Sequence, residues 1–352
     1  MLTINYSNNT EEIKKAFERD LENIESVLDS SLNPLTRALL NIKLNPNYSV
    51  LYNFATEDIA SYITSFNSIE NYLTVCASGD QVINAIIYGA KNIDTFDINF
   101  LSKHALILKL SSIKCLNSND IVKLFTTYDP KLLEKVISNT DIMVQQFWES
   151  IFKEYRTDIV GEFFGEYKIP ENTIYDINPY LIPNNLEQLK SLLDSININF
   201  IESDLYSLPK FLKNKYDAIN LSNIYEYLNF DTQVNFENAK QFYDFITQQL
   251  VPYLNNNGTI LLCYLYAFSK KTKKHFDELY KTTKFVKLYN SHTKLTSESA
   301  KALQQGLTTQ NLAYSQLYDV FNSEQLIEIQ TQHMNYGQSI DTSHDTALIL
   351  RK

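Results

Sequence analysis

Ser78, Gly79 and Asp80 stand between a short apolar run, YLTVCA, and a helical period, QVINAIIYGA; eighteen positions after Gly79, a second apolar run, NIDTFD, ends in Asp97. A strand-to-helix turn with one glycine lets the backbone pass close to a ligand, and the helix that follows turns free N–H groups towards an anionic group. A carboxylate about 20 residues further on is where a βαβ unit grips ribose hydroxyls. The pair therefore reads as a nucleoside site. Each feature also has a plainer reading: a lone glycine is an ordinary turn, and Asp97 could cap a helix starting near Asn99.

Two later strand mouths extend this reading. The run INFIESD, at about 198–204, ends in Ser203 and Asp204, where a carboxylate could accept a hydrogen bond from a base amino group or simply cap the turn before Leu208 and Pro209. After YDAINLSN, at 216–223, polar groups crowd together, and Asn220, Ser222, Asn223, Tyr225 and Glu226 are candidates for orienting a nucleophile. Turn chemistry around Ser222 and Asn223 is the plainer alternative.

Positioning these loops requires a doubly wound sheet, whose ligands bind at the carboxyl ends of the strands. Ahead of it, Ile13, Phe17, Leu21, Ile24 and Leu28 mark an amphipathic helix over 10–32; Asn33-Pro34 opens a second helix through 44, and Thr56-Glu57-Asp58 opens a third through 66. The period then alternates β, α, β, α, and a helical insertion follows at about 116–195. Strands resume at 198–204, 216–223 and 259–266, with a helix over 236–254. TALILRK forms a last strand, with KFVKLYN at 284–290 as its candidate partner and helix plus loop over 291–310. The expected class is α/β and Rossmann-like, with an N-terminal helical region at 1–68 and the binding domain at 69–352.

Composition narrows the function. A net charge of -10 and a pI near 5.1 argue against holding nucleic acid through its phosphates, so a small-molecule acceptor is expected. The opening residues lack a signal peptide's apolar core and no run could span a bilayer, which points to the cytoplasm. Three cysteines, two of them (Cys76 and Cys263) in apolar runs, suggest small core residues, and the five histidines show no metal-ligand spacing, so no metal is expected. There is no G-x-S-x-G nucleophile motif. Lys270, Lys271, Lys273 and Lys274 form a basic run that is a solvated face or at most a peripheral membrane contact. Phe147, Trp148, Phe152 and Tyr155 read as core.

The run YLTVCASGDQVINAIIYGAKNIDTFDINFLSKHALILKL, with the later YDAINLSNIYEYL, resembles the S-adenosylmethionine:diacylglycerol 3-amino-3-carboxypropyltransferases of betaine-lipid synthesis and their shorter relatives. Ser78-Gly79-Asp80-Gln81, Gly89-Ala90, Phe96-Asp97-Ile98-Asn99 and Leu221-Ser222-Asn223-Ile224 carry the likeness. It implies a class I methyltransferase-like sheet binding S-adenosyl-L-methionine, its methionine carboxylate at the Gly79 turn and its ribose at Asp97. Ala77, Ser78, Asp80, Gln81, Ile98, Asn99, Asp204, Leu205, Asn220, Leu221 and Ser222 complete the expected cofactor contacts, with Asn223, Tyr225 and Glu226 as catalytic candidates. Phe54-Ala55-Thr56-Glu57-Asp58 is similar to the family's aromatic-Trp-Glu-Asp segment, with Thr56 in place of the tryptophan. The favoured activity is methyl transfer to a small-molecule or lipid-like acceptor; aminocarboxypropyl transfer, possibly to a lipid hydroxyl, and non-catalytic cofactor binding are the alternatives.

Overall fold

The computed structural model describes residues 15, 18–20, 52–66, 68–155, 171–227, 236–265, 320, 328–335 and 344–352. The helix at 33–44, the strand at 284–290, the basic run at 270–274 and the segment at 291–310 lie outside the described residues, as does most of 10–32. The chain forms two compact units, residues 1–213 and residues 214–352.

The first unit carries a parallel sheet in the order β3-β2-β1, formed by β1 (Asn71–Val75), β2 (Asn92–Asp97) and β3 (Asn197–Glu202). Tyr72, Leu73 and Thr74 are buried in succession, as expected for a strand covered on both faces. Val75 pairs with Phe96 and Asp97 with Glu202, so neighbouring strands end together and their loops emerge side by side. Ahead of the sheet, α1 (Ile59–Ile63) is capped by Asp58, whose side chain accepts from the Ser61 N–H at 3.2 Å. The crossovers begin with α2 (Asp80–Ile87) after β1 and α3 (Leu101–Cys115) after β2. Between α3 and β3 come α4 (Ser118–Thr127), α5 (Pro130–Ile137), α6 (Ile142–Tyr155), α7 (Glu171–Ile177) and α8 (Pro183–Leu192). Asn117 caps α4, and Asp129 caps α5 with Pro130 at its first position. Phe147 and Trp148 of α6 are buried, while the side chains of Phe152 and Tyr155 lie outside the described set.

Helix α3 has no wet face, since every residue from Leu101 to Ile113 is buried, including Lys103, His104 and Lys109. Buried charges persist only when paired. Asp20, in the helical stretch 18–20, meets two of them: Lys103 Nζ donates to its carboxylate at 2.7 Å and His104 Nε2 lies 2.8 Å away. Arg19 bridges Asp20 at 2.8 Å and Glu202 at 2.7 Å. Burial would raise the Asp20 carboxyl, but the bonds from His104 and Lys103 hold it well below the usual range. The His104 imidazole, stacked on Phe147 at 3.7 Å, is pushed down to about 4 by burial and by Lys103, so it stays neutral.

The second unit orders its strands β4-β5-β7-β6: β4 (Tyr216–Asn220), β5 (Leu254–Leu265), β6 (Glu328–Asn335) and β7 (His344–Arg351). β4 and β5 are parallel, while β7 runs antiparallel between β5 and β6. Between β4 and β5 stand α9 (Ile224–Tyr227) and α10 (Phe236–Phe245), the latter ending in a wide turn at Ile246–Leu250 and a tight one at Val251–Tyr253. Two expectations are corrected. β5 starts at Leu254 rather than 259, because Asn255, Asn256, Asn257 and Gly258 join the strand through a register irregularity, with Asn257 at a φ of 62°. The partner of the last strand is EIQTQHMN at 328–335 and not 284–290; β7 supplies the buried Ala347, Leu348, Ile349 and Leu350, so its edge neighbour can be polar. Parallel crossovers in the first unit and an antiparallel β7 in the second are the features of the expected Rossmann-like, class I methyltransferase sheet. Among the described residues, no helix is long and apolar enough to cross a membrane.

Candidate functional site

In the first unit the site grows from the two loops at the carboxyl ends of β1 and β2. Cys76, just past β1, is buried and donates to the Ser102 carbonyl at 3.6 Å; burial and then the neighbouring Asp97 push its thiol well up, leaving it an inert core residue. Ala77 follows in the left-handed region at a φ of 44°, a conformation that costs a residue with a Cβ about 1–2 kcal/mol and is kept only where surroundings impose it. What imposes it is Asp97, whose Oδ2 accepts the Ala77 N–H at 2.9 Å. Gly79, at a φ of 82°, begins α2; a Cβ there would stand 2.9 Å from Leu106 Cδ1 of α3. The glycine thus serves both the turn and the approach of α3.

Asp97 closes the loop from the other side. Its Oδ1 accepts the Asn99 N–H at 2.9 Å, and its backbone carbonyl accepts the Ser203 N–H at 3.0 Å. It does not cap α3, which begins at Leu101, where the Asn99 side chain accepts the Leu101 N–H at 3.1 Å. Burial pushes the Asp97 carboxyl up, against bonds from the Asn99 N–H, the Ser102 hydroxyl and the Ala77 N–H that favour its charged form. The Ile98 N–H adds a fourth such bond, so the chain itself orients the carboxylate on every side it can accept. Beside it, Ile98 is 36% exposed, unusual for a large apolar side chain at the end of a buried strand.

Asp80 is different. Its carboxylate is fully buried and accepts from Lys109 Nζ at 2.9 Å and Tyr180 Oη at 2.9 Å on Oδ1, and from the Ala55 N–H at 2.5 Å and Ser78 Oγ at 3.0 Å on Oδ2. All its acceptor sites are used, so the expected cofactor contact through this side chain is corrected: Asp80 faces inward and holds the turn. Lys109 also donates to the Ser78 carbonyl at 2.8 Å and the Asn53 carbonyl at 2.7 Å, with Phe54 and Phe125 rings 4.7 and 5.2 Å from its nitrogen. Burial lowers the Lys109 ammonium's pKa, and Asp80 works to keep it charged. The Tyr180 phenol is pushed well up, first by burial and then by Asp80, so it remains a donor. Gln81 is buried at the second position of α2, with an Oε1 that has no hydrogen-bond partner among the described residues.

Lys109 and Tyr180 were invisible to motif reading. The one available signal was a lone lysine inside the apolar HALILKL of α3, which has to find a buried partner.

At the end of β3, Ser203 is buried, Asp204 is exposed and Leu205 is buried. Asp204 Oδ1 accepts the Ser207 N–H at 2.9 Å and its carbonyl accepts the Leu208 N–H, so the plainer turn-capping role is realised.

In the second unit, β4 ends at the fully buried Asn220, whose Oδ1 accepts the Ser222 N–H at 2.9 Å. Leu221 is buried, and Ser222 turns at a φ of 52°, with its hydroxyl 3.3 Å from Asn223 Oδ1. Asn223 is half-buried. Tyr225 packs into the core against Phe242, ring centroids 4.8 Å apart, which corrects its reading as a proton-removing group. Glu226 lies in α9, with its side chain outside the described set. Among the described residues no cluster of His, Cys, Asp and Glu could hold a metal ion.

No protein-family model matches the chain, and no curated protein does. Among solved structures, an O-methyltransferase from Bacillus cereus in complex with SAH is 8% identical over 96% of this chain and 99% of that one, at a TM-score of 0.35. The N-methyltransferase NodS from Bradyrhizobium japonicum WM9 is 8% identical over 84% of this chain and 92% of that one, at 0.32. A Streptococcus mutans chain described as a SAM-dependent methyltransferase is 10% identical over 80% of this chain, which spans only 44% of that protein, at 0.32. At such scores these likenesses assign no role to any residue.

Proposed function

We propose that the chain is an S-adenosylmethionine-dependent methyltransferase acting on a small-molecule or lipid-like acceptor. The observation that supports this best is the placement of the Asp97 carboxylate: it stands at the carboxyl end of β2, where a βαβ unit grips ribose hydroxyls, and is oriented by the Ala77 and Asn99 N–H groups. The residues around it fit the rest of such a ligand. The first-turn N–H groups of α2 have no carbonyl one turn earlier in the helix and suit the methionine carboxylate. The unpaired Gln81 Oε1 suits its ammonium, and the exposed Ile98 offers an apolar edge to the base.

When bound, the cofactor supplies a methyl carbon made electrophilic by its sulfonium. The chain's own residues hold the nucleoside, exclude water and align the acceptor, which is where most of the acceleration of such a transfer arises. Asn223 and Glu226 are the candidates for orienting the acceptor and removing its proton.

Incubating the protein with S-adenosylmethionine carrying label in the methyl group and in the aminocarboxypropyl arm tests the reading. S-adenosylhomocysteine with a methyl-labelled acceptor supports it. Methylthioadenosine with arm-labelled acceptor replaces it with aminocarboxypropyl transfer, and binding without turnover replaces it with a non-catalytic role.

A further inference from the structure

Three separate stretches of chain converge on the Asp80 carboxylate: Ala55 from before β1, Lys109 from α3, and Tyr180 from the turn between α7 and α8. The last contact belongs to a buried polar path. The Tyr180 N–H donates to Asn84 Oδ1 of α2 at 3.1 Å, and Asn84 Nδ2 donates to the Asp80 carbonyl at 2.9 Å and to Asn178 Oδ1 at 3.3 Å. Asn178 Nδ2 in turn donates to the Ile174 carbonyl of α7 at 3.1 Å. Asn84, Asn178 and Tyr180 are each fully buried, so a bond lost here leaves an unsatisfied group with no water to replace its partner.

The first turn of α2 is therefore held by both Lys109 and Tyr180, which share Asp80 Oδ1. Neither residue has to touch a ligand to control where the Ser78 and Gly79 backbone points. We propose that Tyr180 is a positioning residue that couples docking of the helical segment 171–192 to cofactor binding at the β1–α2 turn. This rests on the cofactor reading above. Coupling of this kind is reciprocal: if the docked segment favours the binding-competent turn, a bound ligand must favour the docked segment.

The test pairs Tyr180→Phe, which removes one hydroxyl, with hydrogen exchange on the wild-type chain, using S-adenosylhomocysteine as the probe. The variant is expected to bind about tenfold more weakly by calorimetry, within the usual range of site-to-site coupling. In the wild type, ligand is expected to slow amide exchange across 171–192 as well as across α2, and in the variant across α2 alone. A merely structural hydroxyl would lower the unfolding midpoint and leave the affinity of the folded protein unchanged; that result overturns the inference. So does wild-type binding with unaltered exchange at 171–192, a measurement that stands even if the variant does not fold. No binding by the wild type overturns the cofactor reading and this inference with it.

Discussion

The loop that leaves β1 and the loop that leaves β4 both turn through a non-glycine residue at positive φ two positions past the strand end, Ala77 at 44° and Ser222 at 52°. They are fastened by different means. The β1 loop is tied by buried bonds from distant residues, Asp97 to Ala77 and Lys109, Tyr180 and Ala55 to Asp80. The β4 turn combines short-range bonds, Asn220 accepting from Ser222 and Leu221 accepting from Ile224, with one backbone bond from the Leu221 N–H to the Leu261 carbonyl of β5. A loop pinned from four separate stretches of chain suits a ligand that never varies. A turn whose side-chain bonds are short-range can be altered with less disturbance to the core.

The difference is broken most severely by Lys109→Met, which leaves Asp80 as a buried charge without its cation. Stability is expected to fall by about 3–5 kcal/mol in denaturant titration, with part of the loss recovered when Asp80→Asn is added. No substitution in the β4 turn should approach this.

Next in size is Asp97→Ala. If Asp97 grips the ribose as proposed, its removal is expected to weaken S-adenosylhomocysteine binding on the order of 100-fold by calorimetry. The pH dependence carries a sign. Burial raises the Asp97 pKa, so binding should decline as pH falls through a value above the ordinary carboxylate range. The same raised pKa means that the folded state holds this proton more tightly than the unfolded one. Its contribution to stability is therefore fully present below the unfolded pKa and is lost as pH rises through the folded pKa. Titrations of affinity and of unfolding free energy should thus run in opposite directions for this group, and Asp97→Asn should flatten both.

Asn223→Ala sharpens the contrast from the other side: turnover should drop about tenfold while cofactor affinity stays unchanged, measured by steady-state kinetics beside calorimetry. The smallest effects belong to the strained positions themselves. Ala77→Gly and Ser222→Gly should each change stability by no more than about 1 kcal/mol, relief of the left-handed conformation being offset by chain entropy. A large loss of activity in Ser222→Gly, with stability intact, would show that the β4 turn needs its hydroxyl and is less adaptable than described.

The elements around the β1–α2 turn were legible because their signals are local. Gly79 and Asp97 show their spacing directly, and apolar runs mark β1, β2 and β4. What escaped was non-local or weakly patterned. The importance of Lys109 depends on residues 53, 78 and 80, brought to it only by folding. Asp80, adjacent to Gly79, resembled a ligand contact until its four donors were in place. β6, EIQTQHMN, lacks an apolar run, while the buried run at 347–350 lies on its partner β7. Tyr225 sat in a polar-looking loop, yet one helical turn carries it into the core beside Phe242.

The Asp20 cluster has a consequence in time. Lys103 and His104 follow Asp20 by 83 and 84 residues, so on the ribosome the acid is made well before either partner exists. At ordinary synthesis rates that interval is about 4–17 s. Until then only the half-exposed Arg19 can pair with Asp20, and full burial of the carboxylate carries a desolvation cost. The stretch around Asp20 thus settles only once α3 supplies Lys103 as its buried counter-charge.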